Sequence, residues 1–372
     1  MARSSKAKRS PNRVTARRHR GETTPTGQLQ TEFELAAGEA EPNPPATPAV
    51  WAKVAPPVPS EVYDSYWRFA AERQEVFFRR IAGEPAPWTE NPILQQYKFT
   101  NAYRASDRVS QFLIGRVIYS GDPDPGEVFF RTLLFKLFNR VETWELLERE
   151  LGAVRWADYD YARYDGLLGR ARQANEKIYS AAYIMPSARS FGHPSKHQNH
   201  LKLLERMMHD HVPYRVQEAR SMSEVFELLR SYPSLGGFLA FQFTIDLNYS
   251  ELTNFSEMDF VVPGPGARDG IRKCFRSLGG MSEVDVIRLT AERQEQECQR
   301  LGLRFRSLWG RPLQLIDCQN LFCEVDKYAR VAHPEAAGLT GRTRIKQKFQ
   351  PKRKRFDYWY PPKWKLNDRI SH

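Results

Sequence analysis

Apolar residues recur along most of this chain at intervals of three and four positions, which is the spacing of one face of an α-helix. The first such run follows Ser60, an N-cap candidate, and puts Glu61 and Asp64 in the first turn, where the helix dipole favours acidic groups. Period-two alternation is rare, and residues 177–183 are the best strand candidate. The pattern therefore predicts an all-α fold. Further helices are predicted near 109–119, 129–138 and 144–151, and over 158–172, 196–211, 221–231, 237–247, 266–277, 283–301 and 318–331.

Composition divides the 372 residues into three parts. Residues 1–59 are poor in large apolar groups and rich in proline, so they cannot bury enough surface to offset the entropy of ordering. We expect this part to be a disordered basic arm. Residues 60–335 hold the helical pattern and form the predicted domain. Residues 336–372 form a basic and aromatic tail, whose aromatic residues either stack on exposed bases or clip onto the domain.

The formal net charge of +12 is concentrated near the two ends. Residues 1–20 and 341–355 each carry eight Arg or Lys and no carboxylate. Removing these sixteen from the 56 basic residues leaves 40 against 44 acidic ones, so the body is slightly acidic. Unopposed basic segments bind phosphate backbones through counterion release, without reading sequence. The alternative is a targeting signal, since residues 351–355 would serve as a nuclear address in a eukaryote.

Other compositional features limit the cellular setting. No apolar run approaches the roughly 20 residues that a membrane-spanning helix needs, so no membrane partner is expected. The four cysteines lie too far apart for a CxxC zinc pair or an iron–sulfur run and are typical of reduced thiols. We therefore expect an intracellular protein, nuclear in a eukaryote and cytoplasmic in a bacterium.

The most informative local feature is the run from residue 232 to residue 242. Pro233 and Gly236 interrupt two apolar helical segments, which predicts two helices joined by a tight turn. Such a turn directs backbone N–H groups at Gly236 and Gly237, together with a helix N-terminus, towards one point, where a phosphate can bind. The turn resembles the helix–hairpin–helix element of DNA glycosylases. The alternative is an ordinary helical corner.

Several segments together resemble one family. The combination is similar to the helical domain of 5-hydroxymethyl-deoxyuridine (5-hmdU) DNA kinases and to the related α-glutamyl/putrescinyl-thymine pyrophosphorylases. The resemblance covers roughly residues 60–335. It implies a helix–hairpin–helix, glycosylase-like domain that binds double-stranded DNA and acts on a flipped 5-substituted pyrimidine. The segments that carry it are 97–108, 129–139, 142–144, 237–242, 264–270 and 317–324.

The resemblance also implies a reaction sequence. In thymine hypermodification the hydroxymethyl group is pyrophosphorylated, and the leaving group is then displaced by an amine or amino acid. The kinase step needs a P-loop, and the glycine-containing runs 264–268 and 338–342 lack both its spacing and its lysine. We therefore expect exchange of the 5-substituent rather than stand-alone kinase activity, with a separate P-loop DNA kinase as partner and no cofactor. The alternatives are a non-catalytic reader of modified DNA and a DNA glycosylase.

The glycosylase resemblance directs attention to Asp259, which lies 23 residues after Gly236. A carboxylate at this position steadies charge or activates a nucleophile in those enzymes. Phe238 occupies the position where bifunctional members carry a lysine, so imine chemistry is not expected. We predict that Asp259 deprotonates or orients an incoming amine, and we take Gln242 as a second catalytic candidate. The alternative role of Asp259 is to cap the following segment.

Two further sets of residues are binding candidates. The loop with Gly264 and Gly266 opens onto a predicted helix, so its backbone and Arg268 are suited to a phosphate, although a plain turn is the alternative. A polar face near residue 100 is suited to reading the edge of an extruded base, and a solvated face is its alternative. Its members are Asn101, Tyr103, Arg104 and Asp107.

Five of the eight histidines cluster between residues 193 and 211. A zinc site would need three or four converging ligands, and neither a His-Glu-x-x-His motif nor a nearby cysteine pair occurs there. No metal site is therefore predicted, and we interpret the cluster as a histidine-rich helical surface facing DNA.

Overall fold

The computed structural model describes residues 55–182, 185–350 and 357–370, which lie in one compact unit. Helices dominate it, so the predicted all-α class is confirmed. A π-helix, Leu113–Ile118, continues α3, and two short strands, β1 (Val58–Pro59) and β2 (Phe275–Ser277), pair antiparallel. The helices are α1 (Glu61–Ile81), α2 (Pro92–Gln96), α3 (Arg108–Phe112), α4 (Pro125–Phe138), α5 (Val141–Leu151), α6 (Tyr161–Gln173), α7 (Lys196–His209), α8 (Val212–Glu218), α9 (Met222–Arg230), α10 (Gly237–Asn248), α11 (Pro265–Cys274), α12 (Glu283–Glu292), α13 (Gln294–Arg300) and α14 (Leu315–Ala332).

Helix α1 begins where the sequence predicts. The Ser60 hydroxyl oxygen accepts a hydrogen bond from the Val62 amide at 3.2 Å, and the Ser60 amide donates to the Cys274 carbonyl at 2.8 Å. The first turn carries Glu61 and Asp64, as expected for a helix N-terminus. The start of α1 is thereby fixed to the end of α11.

Helices α4 and α10 form the centre of the domain. All described residues of α4 from Gly126 onward are buried, and α10 is buried from Leu239 to its end. A helix that is apolar around its whole circumference belongs in a core, and these two helices contact each other there. The few polar side chains on them are therefore enclosed by protein.

Helices α11 and α14 pack backbone to backbone. A Cβ atom added to Gly270 would overlap the carbonyl group of Phe322, and one added to Gly266 would overlap the Cys323 side chain. Gly266 and Gly270 lie one turn apart on α11, so together they form the surface that allows this close approach. Gly266 thus has a packing contact that its predicted place in a phosphate loop does not require.

The predicted strand at 177–183 is wrong for residues 177–182, and residue 183 lies outside the described residues. The backbone of this segment forms hydrogen bonds with α5 and α4 instead. The Ile178 carbonyl accepts from the Thr143 hydroxyl of α5 at 2.9 Å, and the Ser180 amide donates to the Phe138 carbonyl of α4 at 3.0 Å. The alternating apolar residues serve packing on α4 and α5 rather than strand pairing.

The described parts of the C-terminal segment lie against the domain. Tyr97 and Lys348 form an isolated antiparallel bridge, and the buried Tyr360 hydroxyl hydrogen-bonds the Ser106 hydroxyl at 2.8 Å. Residues 1–54 of the predicted basic arm (1–59) and residues 351–355 of the basic run 341–355 lie outside the described residues. Within the described ranges, no helix combines the length and the apolar character needed to cross a membrane.

Replacing Gly270 by alanine is expected to force α11 and α14 apart and to lower the free energy of unfolding by about 1–3 kcal/mol or more. Gly169→Ala on α6 is the matched control, because no atom lies near its added Cβ and alanine favours a helix by about 1 kcal/mol. Urea unfolding followed by circular dichroism measures both. Equal midpoints for Gly270→Ala and the unmodified protein would contradict the close approach.

Candidate functional site

The segment around residue 100 turns inward instead of forming a solvated polar face. Asn101, Tyr103 and Arg104 are 6%, 1% and 2% exposed. A short 3-10 turn, Arg104–Ser106, places them between α1, α10 and α14, and the Tyr103 hydroxyl donates to the Arg311 carbonyl at 2.7 Å. Polar side chains at this depth need internal partners.

Arg104 is the centre of a buried ionic network. Its Nη2 lies 2.8 Å from Asp246 Oδ1, its Nε donates to Gln242 Oε1 at 3.1 Å, and its Nη1 donates to the Tyr249 hydroxyl at 3.0 Å. Lys136 Nζ lies 3.2 Å from Asp246 Oδ2, and burial lowers the pKa of this lysine. The structure thus brings two predicted site residues, Arg104 and Gln242, into direct contact.

Asp317 connects this network to α14. Its Oδ1 accepts from the Arg104 amide at 2.8 Å, and its Oδ2 accepts from the Gln314 amide at 3.0 Å. Burial raises the pKa of Asp317 to about 7, and the two backbone donors oppose that shift. The network therefore joins the segment around residue 100 to α4, α10 and α14 at once.

Asp107 and Asn101 form a second cluster with Arg73, which the sequence analysis missed. Asp107 Oδ1 accepts from the Asn101 amide at 2.8 Å, and Asn101 Oδ1 accepts from Arg73 Nη2 at 2.7 Å. Burial raises the pKa of Asp107 to about 7, while the backbone donor and Arg73 oppose the shift. A signal was present: Arg73 falls at helical spacing on the apolar face of α1, between Ala70 and Phe77.

Arg73 also lines a cavity of about 320 Å³ between α1, the loop after it and the C-terminal segment. Four aromatic side chains form part of the wall, and we call this the aromatic cavity. The charged lining residues are two arginines. The lining consists of Arg73, Val76, Arg80, Ala86, Pro87, Trp88, Thr89, Leu94, Gln95, Tyr97, Phe99 and Phe349.

The Arg73 side chain is 8% exposed, and its Nη1 has no hydrogen-bond partner in the described part of the chain. Its other terminal nitrogen donates to Asn101 Oδ1 and, at 3.4 Å, to the Phe99 carbonyl. Burial lowers the pKa of Arg73 to about 10, which still leaves it cationic at neutral pH. An unpaired buried donor on a cation is costly, so this nitrogen is suited to an acceptor on a ligand.

Helices α9 and α10 form the predicted pair, joined by residues 231–236. Gly236 is the N-cap of α10 with an extended backbone, and no side chain caps this helix. The space beside Gly236 is open, and the Gly237 amide has no hydrogen-bond partner among the residues described. The first turn of α10 therefore presents backbone donors at an accessible position.

The Gly264 loop lies next to this turn. A Cβ on Gly264 would come within 2.7 Å of the Phe238 ring, so the start of α11 packs directly on the start of α10. Gly264 is the N-cap of α11, and Arg268 is exposed in its first turn. Two predicted phosphate-contacting elements are thus neighbours.

Asp259 lies exposed in the turn between α10 and α11. Its backbone carbonyl accepts from Arg288 Nη2 at 3.1 Å. Gln242, by contrast, is 1% exposed, so the two predicted catalytic residues occupy very different environments. Both assignments remain predictions.

The clustered histidines have separate partners. His197 Nε2 lies 2.8 Å from Asp165 Oδ1 beside an open groove between α6 and α7. His200 is contacted by the Tyr179 hydroxyl at 2.9 Å and the Pro186 carbonyl at 2.7 Å, and burial lowers its pKa to about 4. Over the described ranges, no group of three His, Cys, Asp or Glu side chains is placed to hold a metal ion.

Comparison with known proteins identifies the family. The family model described as "5-hmdU DNA kinase, helical domain" matches residues 60–338, so the chain belongs to this family and the predicted resemblance is confirmed. A curated relative, the 5-hmdU DNA kinase of Bacillus phage SP10, is 28% identical over 287 residues. The match covers 72% of this chain and 45% of the relative, so the chain spans less than half of that protein. No solved structure matches the chain.

Asp107→Asn is expected to reduce the pH dependence of stability. The folded-state pKa of about 7 exceeds the ordinary 3.8, so between these values the folded protein holds a proton that the unfolded chain has released. The free energy of unfolding therefore falls as pH rises from about 4 to 7, by up to about 1.4 kcal/mol per pH unit for this group. The asparagine keeps an acceptor for the Asn101 amide and removes this slope.

Urea unfolding at several pH values between 4 and 8 measures the difference. Asp317, whose pKa is also raised, remains in both proteins, so part of the slope should persist in the variant. If the free energy of unfolding depends on pH equally in the variant and the unmodified protein, the pKa of Asp107 is not raised in the folded state.

Proposed function

We propose that this chain is a DNA-binding helical module that acts on 5-hydroxymethyluracil or a derivative of it in DNA. Membership of the 5-hmdU DNA kinase helical-domain family supports this substrate class, as does the name of the phage relative. The observation that carries DNA binding is the start of α10, where Gly236 leaves open space and the Gly237 amide has no hydrogen-bond partner within the described ranges. A helix N-terminus of this kind binds phosphate through its N–H groups and dipole.

The neighbouring elements fit a DNA backbone running across this surface. Gly264 brings the first turn of α11 against α10, and the exposed Arg268 supplies a forked cation for a phosphate. Such contacts position DNA without reading its sequence, so a second feature must recognise the modified base. The basic segments near both ends add salt-dependent affinity.

The proposed reaction is exchange of the 5-substituent. A separate P-loop kinase starts the conversion of the hydroxymethyl group into its pyrophosphorylated form, and an amine then attacks the exocyclic carbon. The bond between this carbon and the pyrophosphate oxygen breaks, its electron pair leaves with the pyrophosphate, and Asp259 accepts the proton of the attacking amine. Gln242, Tyr103 and Arg104 are too deeply buried to approach DNA without rearrangement, so we assign them to positioning α10.

A non-catalytic reader is the second candidate function. It is favoured by the ionic network itself, because Gln242 and Arg104 are held by internal hydrogen bonds rather than directed towards a surface. A glycosylase that cleaves the base–sugar bond is the third.

Gly237→Pro is expected to weaken DNA binding about tenfold or more, because it removes one phosphate-binding N–H. Proline suits the first turn of a helix, and Gly236 already has φ −66° and ψ 167°, the extended conformation that precedes proline. Gly237→Ala keeps the N–H and is the control, since its Cβ would lie 3.9 Å from the Phe226 ring. Fluorescence anisotropy with labelled duplexes compares them, and equal affinities would exclude this N–H from the interface.

Asp259→Asn is expected to lower the rate of base modification about 100-fold or more while DNA binding is retained. Duplexes containing thymine, 5-hydroxymethyluracil or its pyrophosphorylated form are incubated with an amine pool, and the nucleosides are then analysed by mass spectrometry. Glu295→Gln, which changes another exposed carboxylate, is the control.

Each function gives a different product. A new mass on the substituted base that disappears in Asp259→Asn supports the proposed transfer. Tighter binding to modified duplexes with every mass unchanged identifies a reader, and an abasic product identifies a glycosylase. Equal binding to all duplexes that is abolished by salt would contradict any recognition of the modified base.

A further inference from the structure

The aromatic cavity has a polar end that is incomplete without a ligand. Arg73 lines the cavity, and its buried Nη1 has no hydrogen-bond partner among the described residues, while Nη2 of the same guanidinium is fixed by Asn101 Oδ1 at 2.7 Å. Asn101 is itself held by two hydrogen bonds. Its side-chain Nδ2 donates to the Ser106 carbonyl at 2.6 Å, and its backbone amide donates to Asp107 Oδ1 at 2.8 Å. The donor is therefore held in one orientation before any ligand arrives, which reduces the entropy lost on binding.

The aromatic walls are also fixed. Trp88 donates its indole N–H to the Glu84 carbonyl at 2.7 Å, and the Arg80 guanidinium carbon lies 5.2 Å from the centre of its ring. The backbone on either side of Lys348 is held by two hydrogen bonds. The Phe349 amide donates to the Gln96 carbonyl at 2.9 Å, and the Lys98 amide donates to the Gln347 carbonyl at 3.1 Å. The Trp88 and Phe349 ring centres are 6.4 Å apart, in an edge arrangement. Rings of this kind provide stacking surfaces for nucleic acid bases.

The size and charge of the cavity narrow the ligand class. A volume of about 320 Å³ is at the lower end of the roughly 300–1,000 Å³ found for small-molecule sites, which suits one ring rather than a fused or extended ligand. Both charged lining residues are cations, Arg73 and Arg80, so an anionic ligand is favoured. Gln95 adds a side-chain amide, whose nitrogen donates to the Thr89 carbonyl at 2.6 Å and whose oxygen is an acceptor.

We infer that the aromatic cavity is the receptor for a single pyrimidine nucleotide extruded from DNA. This inference rests on the proposed substrate class, a modified pyrimidine in DNA, and adds a place where that base is bound for recognition. It does not depend on the role of Asp259, which does not line this cavity. Arg73 Nη1 donates to a carbonyl oxygen of the pyrimidine ring, Trp88 and Phe349 contact its faces and edge, and Arg80 lies on the phosphate side. Asn101 and Asp107 are positioning residues, which act on the base through Arg73.

Phe349→Ala and Ile345→Ala test the cavity as a matched pair. Both residues are half-buried and apolar and belong to the same C-terminal segment, but only Phe349 lines the cavity. Arg73→Lys, which loses the forked donor, is paired with Arg68→Lys, which alters an exposed arginine on the same helix. Thermal unfolding of each variant checks that the fold is retained.

Two binding measurements are made on each protein. Fluorescence anisotropy compares duplexes with thymine or 5-hydroxymethyluracil at one site, and equilibrium dialysis measures free 5-hydroxymethyl-2′-deoxyuridine 5′-monophosphate. Phe349→Ala and Arg73→Lys are expected to lose about tenfold or more in affinity for the nucleotide and to lose the preference for the modified duplex. Their affinity for the thymine duplex, and all affinities of the two controls, are expected to remain unchanged.

The outcomes separate this inference from the proposed function. A preference for the modified duplex that survives in both cavity variants would overturn the receptor assignment and leave the proposed function standing. No duplex preference in the unmodified protein would overturn the proposed function; nucleotide binding that depends on Phe349 would then still support the cavity as a pyrimidine site. Nucleotide binding that is undetectable, or equal in all proteins, would overturn the cavity assignment.

Discussion

Two cations and one carboxylate enclosed in the domain place the strongest constraint on this structure. Removing charged groups from water is costly, and only close pairing offsets that cost, so Arg104 and Lys136 must both remain at Asp246. The three residues come from the segment around residue 100, from α4 and from α10. Any shift of one element would separate buried charges, so the three elements are fixed relative to one another.

This constraint reaches the surface through α10. Gln242 and Asp246 lie one turn apart on this helix, and both contact Arg104. The opposite end of α10 begins at Gly237 and carries the uncapped backbone donors. Because a helix is stiff over twelve residues, the direction of those donors is determined by ion pairing at its inner end. Gln242 and Asp246, which bind Arg104, thus help to set the direction of the backbone donors at the start of the same helix.

Much of this helical framework could be predicted from sequence, because periodic apolar residues specify a helix locally. The predicted helices at 158–172, 196–211 and 318–331 correspond to α6, α7 and α14. Ser60 caps α1 as predicted, and a short turn joins α9 to α10 where the sequence indicates one. The ion-pair partners of the buried polar residues could not be predicted in the same way. Arg104 and Asp246 are 142 residues apart in the sequence. The spacing of a polar residue along a helix is also the same whether its side chain faces water or a partner inside the protein.

The aromatic cavity shows the same limit of sequence reasoning. Arg73 was recognisable as a charge on an apolar helix face, but its role depended on Asn101 and on a loop after α1. Phe349 carried no signal, because its position depends on two backbone hydrogen bonds to residues 96–98 rather than on a periodic pattern. Contacts made by irregular backbone leave little trace in composition.

The position of Phe349 has a consequence for how this chain is compared with its relatives. The family model ends at residue 338, yet one wall of the cavity comes from eleven residues further along the chain. One wall of the cavity therefore lies outside the matched domain. A comparison restricted to that domain would include Arg73 and Trp88 but not the ring of Phe349 that faces them.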